Sequence, residues 1–266
     1  MVDVMVRRRR REARARMGAA IAYGAMGWPV CAAAHPPWPA GFRAAVFRSP
    51  GFRATGFGAP AFRSMGRRGT GFGAGQPGGS AQQGFAQPGG MGRACSCDRI
   101  GCPDPGAHPL SPAWQIQATV DTAVIRTVWQ AQPDANVLLV TGRVFDVLDV
   151  PAPAGRIALD ALRRYGEEIG PVAVASPDRC LFFVATRGAP VDETEWWSCH
   201  LDCAPDSITE TPGLRWHCRD SYVLAPPSRH ISGHDAHWIR APEGRPLPDS
   251  LRILPVLVDA CEEVAG

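Results

Sequence analysis

Residues 36–93 constrain this chain more than any other stretch. Phe-Arg pairs recur at Phe42-Arg43, Phe47-Arg48, Phe52-Arg53 and Phe62-Arg63, followed by Gly-Phe pairs at 56–57, 71–72 and 84–85, in a background of Gly, Pro, Ala and Gln. A segment of such low complexity holds no set of apolar residues that can close a core, so it is expected to be a disordered Arg/Gly/Phe-rich insertion. A folded body must be assembled from the short piece before it and the long remainder after it. Two readings of the insertion stand. Its Arg can contact phosphates while Phe stacks on exposed bases, making a nucleic-acid tether. Alternatively it is a solvated insertion in which Arg, Gly, Pro and Ala accumulated without selection for binding.

Charge follows the same division. The chain has no lysine, so all 28 cations are arginine. Residues 1–99 carry 15 Arg against 3 acids, and residues 100–266 carry 13 Arg against 22 acids. That asymmetry points to a basic arm attached to an acidic body. An apolar content of 45% with 8 Trp can fill one core, which excludes disorder throughout. Arg, Pro or Gly interrupts every apolar run, so no membrane-spanning helix is expected. Arg7–Arg11 followed by Met17–Ala34 loosely imitates a signal peptide, but Gly18, Gly24, Gly27 and Pro29 spoil the apolar stretch, and the expected compartment is the cytoplasm.

The expected organisation is a basic N-terminal arm at 1–16, helical at most from Glu12; a first helix (Met17–Ala25) and strand (Trp28–Ala33) within 17–35; the insertion at 36–93; the main domain at 94–258; and a C-terminal tail at 259–266. Within the main domain, Val120–Gln130 reads as a helix capped by Asp121, with Val120, Ala123, Val124, Thr127 and Val128 on one face. Asn136–Val140 is a continuous apolar run, hence a buried strand, closed by Thr141-Gly142. Val144–Val150 alternates as a strand should. Arg156–Ile169 is a helix presenting Ile157, Leu159, Leu162 and Tyr165 to the core. Val172–Ala175 and Cys180–Thr186 pair about a Ser176-Pro177-Asp178 turn. Trp216–Leu224 reads as one strand, and Ser250–Val264 as a closing helix interrupted near Pro255. Strands and helices alternate irregularly, so the class is mixed α/β or α+β.

Nine cysteines, an odd number at close spacings, suggest metal ligation more than a disulfide framework. Cys95, Cys97, Cys102 and His108 follow a C-x-C-x4-C-x5-H pattern whose Gly and Pro turns can fold four soft ligands onto one structural Zn²⁺; reduced, unligated thiols in a loop are the other reading. Cys199, His200, Cys203, His217 and Cys218 form a looser cluster beside Trp196 and Trp197, which reads as buried structural cysteines. His230, His234 and His237 read as exposed loop residues. Carboxylate chemistry centres on Asp146 and Asp149. Three residues apart in a strand, they face opposite sides and cannot share one metal, and Asp149 is the better candidate. No Walker-type phosphate loop, GxSxG elbow or HExxH helix is present.

Several segments in order carry a resemblance: Ala19–Val30, the CSCDRIGCPDPGAHP segment, Trp114 with Ala118-Thr119, Asn136–Gly142, Phe145–Val150 and Tyr222–Arg229. Together they resemble the N-terminal domain of bifunctional DNA primase/polymerases of the actinobacterial type, over roughly 17–35 and 94–258. The resemblance implies a primase-polymerase-like mixed sheet with an RRM-like core, two-metal nucleotidyl transfer with Mg²⁺ or Mn²⁺, and DNA or a nucleotide as partner in DNA replication. In that family a D-x-D or D-x-E pair and a later Asp hold the metals, and a His seats the triphosphate. Asp149 matches the first acid, Pro151 stands where the second belongs, Cys180 stands at the histidine and His217 near the third acid. Asp146 or Asp220 could substitute for a missing acid, and Arg219, Ser228 and Arg229 match the frame and could contact phosphate. Three functions follow: an active nucleotidyltransferase, a catalytically silent relative that binds nucleotide or nucleic acid, or a zinc-stapled interaction module.

Overall fold

Fourteen stretches of regular structure follow one another in the computed structural model, which describes residues 2–37, 95–97, 102, 104–186, 206–207 and 211–266. In chain order they are α1 (Val2–Ala25), β1 (Val30–Ala33), α2 (Trp114–Gln117), α3 (Thr122–Ala131), β2 (Asn136–Val140), β3 (Phe145–Pro151), α4 (Ala152–Tyr165), β4 (Val172–Ser176), β5 (Arg179–Ala185), β6 (Asp206–Ser207), β7 (Arg215–His217), β8 (Tyr222–Leu224), β9 (His237–Arg240) and α5 (Ser250–Ala265). They lie in one unit made of Met1–Trp38 and Arg93–Gly266. The Phe-Arg segment, Trp196, Trp197 and the Cys199–Cys203 cluster fall outside the described residues.

The strands form two antiparallel sheets, one ordered β1-β2-β8 and one ordered β6-β7-β3-β5-β4-β9. Strand alternation divides the apolar residues of β3 and β5 between two cores. Leu148, Val150, Phe182 and Val184 turn to α4 and α5, where they meet Leu159, Leu162, Ile253 and Leu257. Phe145, Val147, Leu181 and Phe183 turn the other way, to Val137 and Leu139 of the smaller sheet and to α1 and α3. Trp28 stacks on Phe183 in this second core, with ring centroids 5.4 Å apart. Tyr23 buries its ring there and donates its hydroxyl proton to the Pro226 carbonyl at 2.7 Å, as a buried phenol must.

Six local expectations change. The basic arm is no separate element, since α1 runs unbroken through residue 16. Arg9 donates to both oxygens of Asp134 at 3.0 Å, and Glu12 accepts from Arg229 at 3.1 Å, so the arm's own charges dock it. Asp121 caps α3 by accepting from the Ala123 and Val124 amides. The buried face of α3, however, is Ile125 and Trp129, whereas Val120 and Val124 are exposed. The larger side chains win the interface because Gly24 of α1 lets Ile125 pack directly onto its backbone. Tyr165 is 70% exposed at the end of α4, because Gly166 at φ 68° ends the helix there in a left-handed cap. Residues 216–224 are two strands in different sheets, parted by a turn with Asp220 at φ 58°. Pro255 lies on the exposed side of α5, which continues through it. The boundary expected at 258/259 also falls inside α5, where Ala260 and Cys261 are buried.

Candidate functional site

The hairpin of β3 and β5 sets the site. Register places Asp149 opposite Leu181 on one side and Arg215 of β7 on the other, and Pro151 opposite Arg179. Asp149, Pro151, Arg179 and Leu181 therefore share a face, and Cys180 belongs to the other. Cys180 sits under α4, where a Cβ on Gly155 would lie 2.8 Å from its sulfur. Burial pushes its thiol up to about 12.

Asp149 is 5% exposed. Its Oδ1 accepts from Arg179 Nε at 2.8 Å, and Arg179 Nη2 donates to the carbonyls of Asp149 and Gly213, each at 2.9 Å. His217 Nε2 stands 3.5 Å from Asp149 Oδ2, and its Nδ1 is 3.0 Å from the hydroxyl of the buried Ser221. Asp149, Arg179, His217 and Arg215 border a cavity of about 1190 Å³. Arg215 is exposed and makes no ion pair among the described residues. Sequence reasoning missed both arginines. The Arg179 signal was its place opposite Pro151, legible only once the hairpin register is known.

The site brings Asp149 and His217 together and leaves the other catalytic and phosphate-binding candidates elsewhere. Asp146 lies on the opposite face, where Trp216 Nε1 donates to its Oδ2 at 3.3 Å. Arg219 is half-exposed, 3.7 Å from Asp220. The Ser228 hydroxyl accepts from the Val137 amide at 2.8 Å and donates to the Val137 carbonyl at 3.2 Å, which ties its loop to β2. Arg229 exchanges backbone hydrogen bonds with the Asn136 side chain and points its guanidinium at Glu12. None of Asp146, Arg219, Ser228 and Arg229 borders the cavity. Of the three histidines expected in exposed loops, His234 is exposed in one, His237 is exposed but begins β9, and His230 is half-buried and lines the cavity.

A two-metal centre needs several oxygen donors around each Mg²⁺ or Mn²⁺. Here Asp149 already bonds a guanidinium, Pro151 offers no donor and His217 offers nitrogen. Those residues do not fit the pair of ions.

Cys97, Cys102 and His108 line the same cavity. With Cys95 they form a cluster whose ligand atoms all lie within 4.8 Å of one another. Cys95 Sγ is 3.3 Å from His108 Nε2 and accepts the Gly106 amide at 3.4 Å. Reciprocal bonds between His35 and Ser96 at 3.0 Å anchor this loop to the chain leaving β1. Burial, then the neighbouring Cys97 and Cys95 thiols, pushes Cys102 up to about 11; a metal has to displace that proton to bind. Three thiolates and one imidazole suit Zn²⁺, and a filled four-ligand shell is structural rather than catalytic.

Among the described residues no helix is long and apolar enough to cross a membrane. No curated protein matches the chain. One family model does, over residues 20–255: "Bifunctional DNA primase/polymerase, N-terminal".

Proposed function

The chain belongs to the bifunctional DNA primase/polymerase N-terminal family, and from that premise we propose that it retains the family's cleft as a phosphate-binding site and does not catalyse nucleotidyl transfer. The observation that carries this is the Asp149–Arg179 ion pair, with a proline on the neighbouring position of the same strand face. Where the resemblance implies anionic ligands for divalent metals, this cleft pairs Asp149 with Arg179 and adds the exposed Arg215 and the imidazole of His217, alongside Asp104 and Asp178. Guanidinium groups bind phosphate directly, with no ion between. A nucleotide or a strand of DNA is then held during replication without being extended. The Cys95–His108 cluster braces the opposite wall with zinc.

The test uses the full chain with a primed DNA template, deoxynucleotides and either Mg²⁺ or Mn²⁺. No extension is expected, whereas a fluorescent nucleotide analogue binds and Arg215→Gln weakens it at least fivefold. Extension that vanishes in Asp149→Ala sinks this reading and restores the active enzyme. Failure of the wild type to bind the analogue leaves the zinc-stapled interaction module.

A further inference from the structure

Most of the arginines of α1 sort onto two faces, with Arg8 on the flank between them donating to Glu12 at 2.7 Å. Arg9, Glu12 and Arg16 recur at i, i+3 and i+7 and turn inward, where Arg9 and Arg16 meet Asp134 and Glu12 meets Arg229. Arg16 is 3% exposed. Arg7, Arg10, Arg11 and Arg14 recur at i, i+3, i+4 and i+7, and all four are exposed. That periodicity puts them in one row along the helix. The inner bonds fix the rotation of α1 about its own axis, so the outer row is held out to solvent as a preformed surface.

We infer that this row is a docking surface for the phosphate backbone of nucleic acid. The inference deepens the nucleic-acid reading above and rests on it only for the class of partner. Seven residues of helix separate Arg7 from Arg14, about 10.5 Å at 1.5 Å per residue. One strand of a duplex presents a charge about every 3.4 Å along its axis, so several phosphates lie within reach of the row. Arginine is the cation whose planar fork grips phosphate bidentately. Protein interfaces depend on aromatic or aliphatic anchors in pockets; from Arg7 to Arg14 this row has none, and the exposed Val4 lies one turn before it. Beyond Arg14 it continues with exposed Ala15 and Gly18, and a side chain on Gly18 would meet nothing within 4 Å. A backbone can therefore lie close along the helix. A helix lying on a membrane needs an apolar face beside the basic one, and the face opposite the row is taken up by the Asp134 and Arg229 pairs. The excess of acids over arginines in residues 100–266, 22 against 13, leaves the arginines of residues 1–99, the α1 row among them, as the complementary ground for a polyanion.

The experiment is a salt titration of fluorescence anisotropy with a labelled 20-base-pair duplex, comparing the full chain with R7Q/R10Q/R11Q/R14Q. Affinity of the variant should fall at least tenfold, and the slope of log K against log salt should become shallower by about 0.9 for each phosphate the variant no longer neutralises. Binding of the nucleotide analogue in the cleft should not change. Unchanged duplex affinity and slope overturn this inference alone and leave the cleft reading standing. Duplex binding lost in the variant, from a wild type that never bound the analogue, removes the cleft reading and keeps this one. An equal loss against polyglutamate, or against vesicles of anionic phospholipid, overturns the nucleic-acid assignment in favour of an acidic protein or a membrane surface. If the quadruple variant fails to match the wild-type circular dichroism, the double variant R10Q/R14Q gives the same decision at half the change in slope, and four Arg→Lys changes should leave the slope in place.

Discussion

The Arg179 guanidinium holds the Asp149 carboxylate in a place from which water is nearly gone, with side chains 17% and 7% exposed. Removing one partner of such a pair leaves the other charge buried and uncompensated, which costs about 3–5 kcal/mol, whereas removing both charges together costs far less. Arg179→Ala should therefore lower stability by about 3–5 kcal/mol, and D149N/R179Q should recover most of that loss. Urea unfolding midpoints at neutral pH decide it. A single variant within about 1 kcal/mol of the wild type, roughly the worth of an exposed pair, would show that solvent reaches the site and screens it. The comparison also bears on function. A pair retained for structure tolerates joint replacement in stability, while the cleft still loses a phosphate donor in Arg179.

The C-terminal half of helix α1 packs into the core, and its N-terminal half is tied to the body by Asp134 and Arg229. Burial alone raises the Asp134 carboxyl, but the Arg9 hydrogen bond and charge, with His35 and Arg16, outweigh this and hold it below the ordinary carboxylate value. A group whose folded value lies below its unfolded one contributes stability that is complete above the unfolded value, about 4 for Asp, and lost as the pH falls through the folded value. Hydrogen exchange of the α1 amides should accelerate as the pH drops below about 4, beyond the intrinsic pH dependence of exchange. Asp134→Asn should show fast exchange at neutral pH and no further step. If the variant and the wild type exchange alike at every pH, the latch is elsewhere. Helix α5 supplies a second test. Pro255 lies on its exposed side and has no amide proton to give the helix, a defect worth about 3 kcal/mol in an exposed helix interior. Ile253, Leu257, Ala260 and Cys261 nonetheless keep the helix whole by burying one face of it. Pro255→Ala should raise the urea midpoint, by less than that intrinsic figure because the packing already accommodates the proline.

The cavity is a property of the assembled chain: its lining joins the large sheet, β8 of the small one, and the cysteine loop between β1 and α2. Zinc in the Cys95–His108 cluster would tie that loop to the His35 end of β1 and so keep that part of the lining in place. Elemental analysis of purified protein should find one zinc per chain, and Cys97→Ser with Cys102→Ser should abolish it. Stripping the metal with a chelator should lower the melting midpoint by about 2–4 °C for each kcal/mol the site contributes, and should weaken binding of the nucleotide analogue together with it. A chelated protein with unchanged melting and unchanged nucleotide binding would separate the cluster from the cleft.

Short-range patterns carried much of the fold. The apolar run Asn136–Val140, the Asp121 cap, the turn at Ser176-Pro177-Asp178 and the C-x-C-x4-C-x5-H spacing all depend on neighbours a few residues apart, and each was legible from the chain alone. The opposed phases of Asp146 and Asp149 were equally so, because strand alternation is local geometry. Register and docking are not local. That Arg179 rather than Cys180 faces Asp149 depends on which residue of β5 pairs with Pro151, and a shift of one residue would exchange the faces. That Arg9 and Arg16 turn inward depends on Asp134, more than a hundred residues away in the chain. Composition counts such arginines as a basic arm, but a charge 125 residues distant from its partner leaves no periodic trace. Whether each charged group meets solvent, a counter-ion or the cavity was settled by packing, since burial and pairing are properties of distance in space.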